Sequence, residues 1–137
     1  MNQADDRFNI SKIETYLDSI LRGSTTDGKL TPNVYVGTLP DTIKDTWNEM
    51  CLIDCGSSIV DEDARASGSV LILLYARPLT DGTKNVKKMS ELEVALNTII
   101  RNANDAHYQI SRQATYTDYD TKRNWHYNMV ELNIMVY

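Results

Sequence analysis

The side chains of this sequence that could do chemistry are a run of acidic residues and two histidines. Asp61, Glu62 and Asp63 could hold a cation or activate a water molecule, but they lack the spacing of an EF-hand loop. His107 and His126 fall towards opposite ends of a predicted terminal hairpin, too far apart to share a metal or relay a proton. The sequence contains no P-loop, GxGxxG, GxSxG or HExxH motif. It therefore predicts a protein that is not an enzyme and carries no metal or cofactor.

The aromatic residues are more informative than the titratable ones. Eight tyrosines and two tryptophans accompany one phenylalanine, and Tyr and Trp are enriched at interfaces because they join an apolar body to a polar group. Four aromatic residues cluster around the predicted terminal hairpin, namely Tyr116, Tyr119, Trp125 and Tyr127, and the hairpin loop also contains Lys122 and Arg123. Ordinary cross-strand packing is one interpretation of this cluster, and a protein-contact surface is the other.

A charged segment at residues 56–67 separates two predicted strands and is too long for a tight turn. It contains Asp61, Glu62, Asp63 and Arg65. Either the flanking strands continue beyond the core as a protruding ribbon, or the segment is mobile. We interpret its charged residues as candidates for contact with another protein; a solvated acidic loop is the alternative.

Two amphipathic helices are predicted. Ser11 and Glu14 form a capping box ahead of a helix over residues 12–22, which Gly23 would end with a left-handed cap. A second helix over residues 90–103, with a possible start as early as residue 86, has its own Ser-x-x-Glu capping box at residues 90–93. Apolar residues recur at helical spacing in both, so each helix buries one face.

Five strands are predicted from β-branched and alternating residues. They cover residues 34–36, 50–55, 68–76, 108–116 and 125–137, and residues 117–124 form the last hairpin loop. The order helix, three strands, helix, two strands predicts an α+β fold, a mainly antiparallel sheet with both helices on one face. Residues 1–9 are predicted to be a flexible arm, and residues 10–137 a single domain.

Composition limits the partners. The net charge of −5 argues against wrapping nucleic acid, which requires a surplus of Lys and Arg. The sequence has no signal peptide and no apolar run near the ~20 residues that span a bilayer, so we expect a cytoplasmic protein without a membrane partner. Cys51 and Cys55 lie on one face of a predicted strand, about 13 Å apart. That separation is too large for a disulfide, so we interpret them as buried thiols.

The order of elements over residues 10–137 resembles that of phage tail-terminator or tail-completion proteins and of related head–tail connector (neck) proteins. The resemblance includes the opening helix, the strand pair around the charged segment, the terminal hairpin, and the motifs Val34-Tyr35-Val36, Leu39-Pro40 and Arg77-Pro78.

The resemblance implies a structural virion protein, made in the host cytoplasm, that forms a cyclic homo-oligomer, a hexamer or dodecamer. Such a ring joins portal or connector proteins to the tail, and DNA passes through it without specific binding. The charged segment and the hairpin would then be the arms that contact neighbours. The alternatives are a cellular adaptor that acts through a β-ribbon and the aromatic hairpin, and a nuclease or small-molecule hydrolase that uses Asp61 or Asp63.

Overall fold

The computed structural model of the chain describes residues 9–56, 59–62 and 65–137; for residues 59–62 and 65 it describes the main chain only. The described residues form two α-helices, α1 (Ile10–Leu21) and α2 (Val86–Ala103), a single 3-10 turn at Thr25–Asp27, and six strands. The strands are β1 (Val34–Val36), β2 (Glu49–Asp54), β3 (Ile59–Glu62), β4 (Arg65–Ala76), β5 (Tyr108–Asp120) and β6 (Trp125–Val136). The α+β class is therefore confirmed. The predicted flexible arm falls, except for Asn9, outside the described residues.

The strands form one mostly antiparallel sheet in the order β1-β2-β4-β6-β5. β1 pairs with β2 in parallel, which differs from the mainly antiparallel arrangement that we predicted for the sheet as a whole. Residues 37–48 explain the difference, because two parallel strands need a crossover connection of about a dozen residues. β6 returns between β4 and β5, so β5 is an edge strand of 13 residues.

The charged segment contributes a strand to the sheet. β3 pairs with the first four residues of β4, from Arg65 to Gly68. The opposite edge of β4 pairs with β6 from Ala66 onward, and Ala66 is buried. β4 therefore begins three residues before its predicted start, whereas β2 ends at Asp54 and β3 is a separate strand. The β3–β4 pair lies within the sheet instead of protruding as a ribbon.

One face of the sheet is covered by both helices. Ile13, Leu17 and Leu21 of α1 share a buried cluster with Leu92 and Leu96 of α2. The sheet contributes the inward residues of its strands to this cluster, among them Val34, Cys51, Ile53, Val70, Ile72, Leu74, Val130, Leu132 and Ile134. The predicted apolar stripes of both helices and of β6 are thus the residues that form the core.

Both helices begin at an asparagine upstream of the predicted capping boxes. Asn9 Oδ1 accepts a hydrogen bond from the Lys12 N–H at 2.8 Å, and Asn85 Oδ1 accepts one from the Lys88 N–H at 3.1 Å. Both predicted capping boxes are wrong, because their Ser-x-x-Glu sequences lie inside the helices. The predicted left-handed cap is also wrong: α1 ends at Leu21 with Arg22 in an extended conformation.

The cap of α2 leads to a first prediction. Asn85→Ala should lower the free energy of unfolding by about 1 kcal/mol, since it leaves a main-chain N–H of the first turn without its acceptor. Ser90→Ala is the matched control and should be neutral or slightly stabilising, because Ala is the better residue inside a helix. Urea unfolding of both variants measures the difference, and a larger loss for Ser90→Ala would contradict the position of the helix start.

The terminal hairpin is longer and more regular than predicted. β5 and β6 pair as far as Asp120 and Trp125, so the predicted loop over residues 117–124 shrinks to a four-residue turn. Asp120 stabilises that turn, since its Oδ1 accepts the N–H groups of Lys122 and Arg123. A register shift between Arg112 and Thr115 breaks the predicted alternation of β5. Residues after the shift therefore face the opposite side from the one predicted.

Candidate interaction surface

Trp125 is buried in a second, smaller core on the sheet face that the helices do not cover. It is 4% exposed and forms a second core cluster with Leu39, Met50 and Tyr75. The Arg77 guanidinium carbon lies 4.8 Å from the centroid of its ring, an attractive cation–π arrangement. Of the two interpretations of the aromatic hairpin, cross-strand packing within the chain therefore applies to Trp125.

Arg123 is also an internal residue. Its side chain is 14% exposed, and its Nη1 lies 3.1 Å from Asp120 Oδ2. Its Nη2 donates to the Pro40 carbonyl oxygen, which ties the hairpin turn to the β1–β2 connection. Lys122, the neighbouring residue in the turn, has a side chain that is 69% exposed and pairs loosely with Asp41. Lys122 thus remains a candidate contact residue, whereas Arg123 has a structural role.

Tyr116 and Tyr119 are exposed on opposite faces of β5. Tyr116 is 54% exposed and Tyr119 is 40% exposed. Tyr119 packs against the His126 ring at a centroid distance of 4.8 Å. Tyr116 pairs with Met129 of β6 on the helix-free face. These two tyrosines are the part of the aromatic cluster that is available for contact with another molecule.

The acidic candidates lie at the other edge of the sheet. Asp61 and Glu62 are in β3, and Arg65 begins β4, where it pairs with Glu62. Asp63 lies outside the described residues. β3 and β5 occupy opposite edges, because β4 pairs with β3 on one side and with β6 on the other. The structure therefore separates the two groups of predicted contact residues instead of bringing them together.

The free edge of β5 is blocked at its beginning. Asn104 Oδ1 accepts the Ile110 N–H at 2.7 Å, and Asn104 Nδ2 donates to the Ile110 carbonyl oxygen at 3.3 Å. Asp105 covers Tyr108 in a similar way: its main-chain N–H donates to the Tyr108 carbonyl oxygen, and its Oδ1 accepts the Tyr108 N–H. An exposed edge strand can pair with another chain unless it is covered, and here two residues cover it as far as Ile110.

Further along, the same edge is open. Main-chain groups alternate in direction along a strand, and the register shift places Thr115, Thr117 and Tyr119 on the outward side. The Tyr119 N–H is bonded to Asp118 Oδ1 at 2.7 Å. Among the residues that the structure describes, none bonds to the outward main-chain groups of Thr115 or Thr117. The opening therefore lies at residues 115–117, beside Tyr116.

A polar network joins α2 to the middle of β5 and β6. Asn128, which is buried, accepts a hydrogen bond from Lys84 Nζ at 3.0 Å and donates one to Glu93 Oε1 at 2.7 Å. Lys84 Nζ also donates to Thr117 Oγ1, and Arg112 Nε donates to Thr115 Oγ1. Sequence reasoning missed this network, although Asn128 was visible as a polar residue in the apolar row of β6. It holds the helix-facing side chains of the open segment in place.

The two cysteines are buried and unpaired, as predicted. Burial raises the pKa of the Cys51 thiol to about 12, and burial together with the neighbouring carboxylates of Glu14 and Asp54 raises that of Cys55 to about 12. A thiol with such a pKa stays protonated near neutral pH and is a poor nucleophile. Both cysteines therefore act as small apolar core residues.

Cavities and metal ligands give little indication of chemistry. An open groove of about 560 Å³ lies beside the blocked part of β5, lined by Asn104, Asp105, Gln109, Ser111, Asn133 and Met135. Within the described residues, no group of three or more His, Cys, Asp or Glu side chains is arranged to hold a metal ion. His126 lies in the row of Tyr119 and His107 precedes β5, so the two histidines are at opposite ends of that strand.

None of the helices in the described part of the chain combines the length and apolarity needed to cross a bilayer. Comparison of the chain with protein-family models and with curated protein sequences finds no match in either set.

Proposed function

We propose that this chain is a structural subunit of a phage virion that assembles into a ring at the head–tail junction or on the tail. The ring would join portal or connector proteins to the tail around the DNA channel. The observation that carries the proposal is the open edge of β5 at residues 115–117, in a sheet whose other edge also ends in short, separate strands. A sheet with two complementary free edges can pair head to tail with copies of itself, and such contacts close into rings.

The order of elements supports the phage assignment. The α+β fold has the opening helix, the strand pair around the charged segment, the second helix and the terminal hairpin on which the resemblance to tail-terminator and neck proteins depends. The net charge of −5 is compatible with a channel through which DNA must slide without binding. The scattered acidic residues and separated histidines favour assembly over catalysis.

A cellular adaptor is the second candidate, because the same edge could accept a strand from an unrelated partner. The two proposals differ in self-association. A ring subunit forms a cyclic oligomer by itself or on its neighbour, whereas an adaptor stays monomeric until its partner adds one strand.

Native mass spectrometry and negative-stain electron microscopy test the proposal. We expect a closed ring of six or twelve copies, formed by the chain alone or after addition of portal, connector and tail proteins from the same genome. A chain that remains a monomer under all these conditions would overturn the proposal. An acidic ring that retains double-stranded DNA at physiological salt would contradict the part of the proposal that concerns the channel.

A further inference from the structure

We propose that the open edge of β5 at residues 115–117 binds β3 of a second copy of this chain, so that the two sheets become continuous. This inference rests on the proposed ring function and identifies the contact that builds the ring. Four features of the two free edges support the contact: their positions at opposite sides of the sheet, their strand directions, their hydrogen-bonding register and their charges.

The directions of the strands fit such a contact. β4 is antiparallel to both β3 and β6, and β6 is antiparallel to β5. β3 therefore runs opposite to β5, and a second copy in the same orientation presents β3 antiparallel to the β5 of its neighbour. Because β3 and β5 lie at opposite edges, each copy donates one edge and accepts at the other, which is the head-to-tail contact that a ring needs.

The main-chain hydrogen-bonding groups fit one register. The Tyr137 N–H donates to the His107 carbonyl oxygen, so alternation directs the main-chain groups of Val136 and Ile134 to β4. Their partners Ala66 and Gly68 are therefore directed to β6. Asp61 and Ile59, which lie opposite Ala66 and Gly68, thus direct their main-chain groups away from β4. The outward groups of β5 are those of Thr115 and Thr117. Both sets have a spacing of two residues. Pairing Asp61 with Thr115 and Ile59 with Thr117 gives the outward main-chain groups of all four residues a hydrogen-bonding partner.

Charge and apolar character favour the same register. Asp61 would lie beside Arg112, whose Nε donates to Thr115 Oγ1 at 3.0 Å. Val60 would lie opposite Tyr116, which is 54% exposed in the single chain. Strand addition would thus cover an exposed aromatic ring and bring an acidic residue to a basic one, both of which stabilise a cross-strand pair.

The geometry of a ring also permits this register. Within one copy, Asp61 lies in the same row as Tyr108, through Ala66 and Val136. To place Asp61 of the second copy opposite Thr115, that copy must be shifted by about 20 Å along the strand direction. Each copy also advances the sheet by four strand spacings, which is about 19 Å perpendicular to the strands. The strands would then be tilted by about 45° from the ring axis, which is similar to the strand tilt in closed β-barrels.

Cysteine cross-linking tests the contact directly. Val60→Cys and Tyr116→Cys are made in separate chains and mixed under mild oxidation, since residues opposite each other in a non-hydrogen-bonded antiparallel pair lie within disulfide range. We expect a linked dimer only in the mixture, because Cys51 and Cys55 are buried. A linked dimer from Tyr116→Cys alone would mean that two β5 edges pair with each other, and no linkage would mean that β3 does not bind there; either result overturns the inference.

A proline variant separates this inference from the ring function. Thr117→Pro removes an outward N–H at an edge position where proline is tolerated. The matched control is Thr117→Val, which keeps the N–H and loses only the hydroxyl that accepts from Lys84. We expect Thr117→Pro to raise the concentration needed for assembly at least about tenfold, and Thr117→Val to leave it within about twofold. Rings that form equally well from a folded Thr117→Pro chain would overturn the β5 contact and leave the ring function standing.

Discussion

Trp125→Ala is expected to lower the free energy of unfolding of the single chain by about 3–5 kcal/mol, the largest effect that we predict for one side chain. Trp125 is 4% exposed, so truncation leaves a cavity between Leu39, Met50 and Tyr75. It also removes the ring that the Arg77 guanidinium faces. Arg77 would keep its hydrogen bond to the Trp47 carbonyl oxygen but would lose its aromatic partner.

Two matched variants define the origin of this effect. Trp125→Phe keeps an aromatic ring in the cluster and should recover most of the stability. Tyr116→Ala removes an aromatic side chain of the same hairpin that is 54% exposed, so it should change the stability of the monomer by about 0.5 kcal/mol or less. Urea unfolding at a concentration where the chain is monomeric gives all three values.

The opposite ranking would restore Trp125 as a contact residue. If Trp125→Ala left the monomer as stable as Trp125→Phe does and instead weakened assembly, its ring would belong to an interface. If Tyr116→Ala weakened assembly while the monomer stayed intact, the division of the aromatic cluster into a packed part and a contact part would be supported.

The sequence predicted the apolar faces well, because burial imposes a regular period. Leu92 and Leu96 of α2, and Leu132 and Ile134 of β6, are buried as their spacing indicated. The helix starts were mispredicted because a Ser-x-x-Glu sequence is also common inside helices. Only the tertiary fold shows that Asn85, five residues earlier, supplies the acceptor.

Two features of the candidate surface could not be predicted locally. The register shift in β5 depends on how β6 pairs with it, and no glycine at residues 113–114 marks the position. The blocked edge depends on Asn104 and Asp105, which read as ordinary loop residues in the sequence. The types of residue that form contacts could therefore be predicted from the sequence. Their exposure to solvent could not be predicted, because it depends on the register shift and on the blocked edge.

Asn104→Ala is expected to have the second-largest effect, a loss of about 2 kcal/mol in the free energy of unfolding. The Asn104 side chain accepts the Ile110 N–H and donates to the carbonyl oxygens of Ile110 and Ile100. One truncation thus removes three hydrogen bonds, two of which cover the edge of β5. Asn102→Ala is the matched control two residues away, at an exposed position, and should change stability by about 0.5 kcal/mol or less.

Amide hydrogen exchange gives a residue-level test of the same variant. In Asn104→Ala the Ile110 amide loses its acceptor, so it should exchange much faster than in the native chain, beyond the change that global destabilisation produces. The exchange rates of the β6 amides that pair with β4 should change only as much as the loss of global stability requires. Unchanged exchange at Ile110 would mean that another group covers this part of the edge.

The variant also tests why the edge is blocked. Uncovering Ile110 lengthens the free edge of β5, while Asp105 still covers Tyr108. The strand of a second copy then gains an alternative register at Ile110, about 13 Å from the one at Thr115. We expect Asn104→Ala chains to form mixed or irregular oligomers where the native chain forms one species. Rings of unchanged size and uniformity would show that Asn104 serves stability alone and that the register of the contact is fixed by other residues.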